Sequence, residues 1–189
     1  MRRIAIGGVL MALTVGLSYF TPYGHAQKAT TANPIVEYET YEAAKQAVGF
    51  APLYLPRVAG WDLYYVSIIS GDLADLSYHR TGDAENTELR IRTAAASASR
   101  KENISGIYSN DWVKYDLSPR AKETADMEAY ICKMGEKNYA VHWKTGGYLF
   151  SVMCTGLSRT EFLTLLEDAL FDLSTHYYPV NKNAVTTDA

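Results

Sequence analysis

The chain has 189 residues, 48% of them hydrophobic and 12% aromatic, with 18 basic and 21 acidic side chains and a formal charge of -3. That length supports one domain with a substantial core and hardly two. No basic run is longer than Arg100-Lys101, so the electrostatic footprint of a nucleic-acid binder is missing and nucleic acid is set aside as a partner.

The first 26 residues carry the three parts of a secretory signal. Arg2-Arg3 precedes an apolar run from Ile4 to Phe20, and Gly24-His25-Ala26 forms a small-residue exit. Cleavage after Ala26 is expected, which places the mature chain outside the cytoplasm, secreted or in the cell envelope. The alternative is an uncleaved anchor, because an apolar run of about 17 residues lies at the short end of what spans a bilayer. Only in that case is the membrane a partner. Losing Arg2 and Arg3 and no acid moves the formal charge from -3 to -5.

Residues 27–33 read as a flexible leader, 34–178 as a single domain and 179–189 as a disordered tail. Asn33 to Tyr38 is expected to be extended, as a strand or a docked arm, since Pro34 pushes its predecessor out of the helical region. Thr40 caps a short helix, Tyr41 to Val48, that Gly49 ends. Pro52 and Pro56 stiffen the connection to Gly60-Trp61, where the sheet opens. Leu63 to Ser70 and Leu73 to Arg80 form a hairpin around Gly71-Asp72. Glu88 to Thr93 alternates strictly, which predicts Leu89 and Ile91 inward and Glu88, Arg90 and Arg92 on a wet face. From Ala94 to Asn103 either a frayed helix or a mobile loop fits, and Ile104 to Tyr115 is strand-like or irregular. Ser118 to Glu123 reads as a polar crossing.

The strongest folding signal is the stretch from Thr124 to Leu173. Asp126 to Lys133, Lys137 to Lys144 and Tyr148 to Cys154 alternate as strands, the last two joined through Thr145-Gly146-Gly147. Ser158 and Glu161 then make a capping box, with Leu157 placed to staple against Phe162. Phe162, Leu165, Leu166, Ala169, Leu170 and Leu173 fall on one helical stripe that must pack on the sheet. The fold class is therefore α+β: an antiparallel sheet of about six strands, with a short N-terminal helix and a C-terminal helix packed on one face. Cys132 and Cys154 are an even pair in a compartment that permits disulfides. If the three strands pair in chain order the two cysteines lie about 10 Å apart, too far to bridge; another strand order leaves a bridge open.

Asn33-Pro34-Ile35-Val36-Glu37-Tyr38, the helix from Tyr41 to Phe50, Leu53-Tyr54-Leu55-Pro56, Gly60-Trp61, the hairpin Ser70-Gly71-Asp72-Leu73-Ala74 and Trp143-Lys144-Thr145-Gly146-Gly147-Tyr148 occur in this order. In order and spacing they resemble a bacterial domain of unknown function, family forty-three sixty-seven, found in envelope proteins of Gram-positive bacteria. The resemblance runs from Asn33 to about Leu170. It implies an extracytoplasmic domain with no known activity, so no catalytic residues carry over. Members often sit behind a membrane helix or beside an anti-sigma-factor-like segment; this chain has only the signal-like segment.

Phosphate loops, nucleophile elbows, H-E-x-x-H and C-x-x-C are all missing from the sequence. His79, His142 and His176 are scattered and lack metal-ligand spacing, and Asp72 with Asp75 is the one tight acidic pair near an edge, Asp72 reading as a turn former. No catalytic, cofactor-binding or metal set is expected, and no cofactor. What stands out is the aromatic load of 15 Tyr, 3 Trp and 5 Phe, with Tyr64, Tyr65, Tyr78, Tyr108, Trp112 and Tyr115 in the middle third. Tyr and Trp bury area with few rotatable bonds, although strands favour them for packing alone. Tyr108 and Trp112, four residues apart in an irregular segment, are the candidate partner contacts. The expected function is a secreted, non-catalytic domain binding an envelope protein or glycan. The alternatives are an extracytoplasmic hydrolase and a carrier of an apolar ligand.

Overall fold

A computed structural model describes residues 34–56, 60–83, 86–118 and 127–177. The expected signal segment 1–26, the leader 27–33, most of the crossing before Met127 and the tail 179–189 lie outside these residues. Among the described residues no helix is long and apolar enough to cross a membrane.

The centre is a single antiparallel sheet. Its strands are β1 (Ile35–Glu37), β2 (Trp61–Ile69), β3 (Leu73–Arg80), β4 (Glu88–Ala95), β5 (Val113–Lys114), β6 (Glu128–Lys133), β7 (Asn138–Thr145) and β8 (Tyr148–Thr155). They lie in the order β1-β2-β3-β4-β8-β7-β6-β5. Two four-stranded meanders are thus joined edge to edge where β4 pairs with β8. The sheet has eight strands and not about six. The two extra ones, β1 and β5, are three and two residues long and close the outer edges. Segments so short hold their place by backbone pairing, with too few side chains to show an alternation. The Gly146-Gly147 turn between β7 and β8 has φ of 58° and 80°, the left-handed pair that a tight hairpin of matching twist requires.

One face of the sheet carries the main core. Leu76, Leu89, Ile91, Val141, Trp143, Phe150 and Val152 interlock there under the C-terminal helix. That helix starts at Ser158, where the expected capping box is present: the serine hydroxyl accepts from Glu161 N–H and the Glu161 carboxylate accepts from Ser158 N–H. It runs as α2 (Arg159–Leu165), a π-helical turn (Leu166–Leu170) and α3 (Phe171–Thr175). The wider turn changes which residues face inward. Phe162, Leu166 and Leu170 are buried as the stripe predicts, and so are Phe171 and Ser174, which the stripe does not include. The Trp143 indole N–H donates to Ser174 Oγ at 2.9 Å, so the extra inward position satisfies the largest buried side chain. Toward the other end, α1 (Tyr41–Val48) is capped by Thr40 and packs on β2 and β3. The connection after it lies across the same face: Leu53 N–H donates to Thr93 Oγ1 and Leu55 N–H to the Tyr78 hydroxyl.

The cysteines are free and buried. β7 separates their strands, and they point to opposite faces: Cys154 pairs in register with Tyr139 and Leu89 in the main core, while Cys132 pairs with Ala140. The meander order that keeps them apart is the one in which no bridge forms.

Candidate functional site

The second face of the sheet is built by the alternate residues of the same strands, and it is polar. Register places Ser67, Asp75, Arg92, Ser151, His142 and Tyr130 in one row across β2, β3, β4, β8, β7 and β6. A bulge at Leu63/Tyr65 adds a residue to β2. Tyr64 thereby stacks on His79 of this face, with ring centroids 3.7 Å apart and planes 8° from parallel.

Only the centre of this face departs from the wet surface that the alternation of β4 predicts: Arg90 keeps 37% of its side chain exposed, whereas Arg92 keeps 13%. Asp75 is fully buried, and Ser67, Ser77 and Ser151 are no more than 3% exposed. Asp75 accepts from Arg90 Nε at 2.8 Å and pairs with Arg90 Nη2 at 2.8 Å, while Arg92 Nε and Nη2 donate to the same carboxylate at 3.2 Å. Burial works against the Arg90 charge, but the Asp75 carboxylate outweighs it and the guanidinium is held more firmly protonated than usual. The other arm of Arg92 donates to the carbonyls of Ile104 and Ser105. Those carbonyls belong to a strap, residues 96–112, that leaves β4 and crosses the polar face toward β5. Gly106 has to be glycine for two reasons. Its φ is +78°, and a Cβ there would sit 2.8 Å from Arg92 Nη1. The strap also contributes Ile104, which with Ala94 and Leu149 forms a small apolar cluster separate from the main core.

Past the strap a cleft of about 370 Å³ opens over β6 and β7, lined by Glu102, Glu128, Tyr130, His142, Lys144 and the Gly146-Gly147 turn. Tyr130 and His142 stack with centroids 5.3 Å apart and planes 14° from parallel. Trp112 meets the same imidazole edge-on at 4.7 Å. Half-burial lowers the His142 pKa, Glu102 opposing the shift, so the ring is neutral near pH 7. Glu128 is paired with Lys114 at 2.6 Å. The cleft therefore offers an aromatic platform beside carboxylate acceptors and an ammonium donor. Its volume is at the lower end of the range of small-molecule sites, about 300–1,000 Å³.

The structure does not bring the two expected contact residues together. Trp112 is half-buried against His142, behind the first cleft, and its indole N–H is buried without a partner among the described residues. Tyr108 is 86% exposed and lines a separate cleft, its ring under Lys101 Nζ at 4.8 Å. Of the other middle-third aromatics, Tyr78 and Tyr115 face the main core and Tyr64 and Tyr65 the polar face. Among the described residues no three His, Cys, Asp or Glu side chains gather as a metal site would require. Asp75, read as half of an edge acidic pair, is instead the ion-paired centre of the sheet. Tyr130, Glu102 and Lys144 do not stand out in the sequence. The signal that could find Tyr130 and Lys144 is phase: with His142 they are out of step with the core residues Ile131, Val141 and Trp143, whereas Glu102, in the strap, carries no such signal.

No family model matches the chain, and comparisons with curated proteins and with solved structures find no similar protein.

Proposed function

We propose that this is an extracytoplasmic, non-catalytic binding module and that its ligand is an envelope glycan held in the cleft over β6 and β7. The observation that supports the reading is the stacked Tyr130–His142 pair at the floor of a cleft edged by Glu102, Glu128 and Lys144. A sugar ring presents a C–H face that lies well on an aromatic platform, and hydroxyls that both donate and accept hydrogen bonds. The cleft supplies both kinds of partner, with no long apolar channel. The signal-like first 26 residues and the resemblance to the envelope family support the setting outside the cytoplasm.

The test is titration of the labelled protein with a soluble N-acetylglucosamine trimer, followed by amide and aromatic NMR shifts. Shifts centred on Tyr130, His142, Gly146 and Gly147 are expected. Tyr130→Ala should weaken binding about three- to tenfold, the value of one aromatic contact. Absence of shifts at these residues rejects the glycan. Cleavage of the trimer during the titration would instead favour a hydrolase using Glu102 or Glu128.

A further inference from the structure

The polar face holds a second cleft, of about 710 Å³, on the opposite side of the strap from the Tyr130–His142 floor. Its two halves differ in chemistry. Ile69, Leu73, Ala94 and Ile104 form an apolar floor, continuous with the small cluster that Ile104 builds with Ala94 and Leu149. Around the mouth stand Arg100 and Lys101, against one acid, Asp72, while Arg92 lies deeper, 13% exposed and ion-paired to the buried Asp75. The chain as a whole carries a charge of -3, so a mouth with two exposed cations and one anion departs from the average of the surface.

The cations are not equivalent. Arg92 is committed to Asp75 and to the strap carbonyls, so it offers the cleft no free donors and its charge is met by the Asp75 carboxylate. Arg100 is exposed. Lys101 is set in place by its backbone: Ser99 Oγ accepts from Lys101 N–H and donates to the Lys101 carbonyl. Its ammonium rests on the Tyr108 ring, 4.8 Å from the centroid, with the phenol oxygen 3.4 Å away. Tyr108 itself is 86% exposed, so the pair forms a projecting wall to the cleft and not a packing contact of the core.

We infer that this cleft binds a free single-chain amphiphile with an anionic head, a medium-length carboxylate, its chain on Ile69, Leu73, Ala94 and Ile104 and its head between Arg100 and Lys101. An apolar floor alone would favour a neutral hydrocarbon, and a basic mouth alone a small anion. Their adjacency in one open cleft selects a molecule that has both parts. This site shares no lining residue with the glycan cleft, so the two proposals stand or fall separately.

The experiment uses sodium decanoate below its micelle concentration, titrated into the full-length protein and followed by methyl NMR shifts and calorimetry. Shifts are expected on the methyls of Ile69, Leu73 and Ile104, and affinity should rise about fourfold per added CH₂ from hexanoate to decanoate. The double variant Arg100→Glu/Lys101→Glu, whose positions are exposed and leave the fold intact, should weaken decanoate at least tenfold and leave decanol unchanged. Decanoate affinity unaltered by the double variant, shifts confined to other residues, or no binding at millimolar decanoate each overturn the inference. Capture by phosphatidylglycerol vesicles without binding of the free carboxylate would show a membrane surface as the partner, and would overturn it equally.

Discussion

The two faces of the sheet are held in place by different physics. On the helix side, attachment is spread over many apolar side chains, so each substitution removes a share and the rest persists. On the strap side, a small apolar cluster is joined by one buried carboxylate serving two arginines, and one of those arginines also grips the strap carbonyls. Dispersed burial tolerates loss, whereas a shared ion centre does not, because removing it leaves uncompensated charges behind. It follows that the strap side is where one residue can decide the state of a whole surface, including both clefts.

The largest test of this contrast is Asp75→Ala, which should cost about 3 to 5 kcal/mol in a denaturant melt and speed amide exchange at Ser105 and Ile107 above all. If those amides keep their protection, the carboxylate is not what holds the strap. Next is Leu166→Ala on the helix side, expected at about 2 to 5 kcal/mol, with exchange rising across the helix and not in the strap. A neutral result would mean that the helix face does not depend on that position.

Smaller is Ser158→Ala, at about 1 kcal/mol from the lost helix cap. It carries a pH signature. The Ser158 hydroxyl and N–H, then Arg80, lower the Glu161 pKa from 4.5 to about 2. A carboxylate depressed in the folded state adds stability that is present above the unfolded pKa and is lost as pH falls toward about 2. Carboxyl NMR of Ser158→Ala should find Glu161 titrating above its wild-type value but still below 4.5, because the backbone N–H at position 158 and Arg80 remain, and acid melts should show a shallower loss over that interval.

The smallest effect sharpens the strap side. Trp112→Ala uncovers His142, so the imidazole pKa should rise from its depressed value toward 6.5. The sign for stability follows. A histidine whose pKa is depressed by folding lets the unfolded chain bind protons first, so stability falls as pH drops below 6.5 and levels off beneath the folded pKa. The variant should flatten that slope, which histidine NMR and melts between pH 5 and 7 would check.

The same contrast explains what could be read from the chain. Alternation in β4, β6, β7 and β8 and the Ser158–Glu161 box are local signals, and the helix face follows from them almost residue by residue. The strap face does not. Nothing within Ala96–Trp112 repeats at two or at 3.6, since its course is set by Arg92 reaching up from another element. The alternation of Arg90 and Arg92 shows that they share a face, but whether that face is wet depends on a segment ten or more residues away. The bulge that brings Tyr64 onto His79, and the π-turn that turns Phe171 and Ser174 inward, are one-residue changes of phase that a periodic pattern averages out. The cleft is legible only once register has aligned Tyr130 with His142.

The unbridged cysteines have a use that follows from where they point. Cys154 is buried on the helix side, and burial pushes its thiol up to about 12, while Cys132 is buried under the opposite face. Neither can be alkylated until its own side opens. One molecule therefore carries two clocks, and intact-mass analysis of a labelling time course separates them. Equal rates would mean that the domain opens as a unit, whereas early modification of Cys132 would show the face opposite the helix opening while the helix stays down.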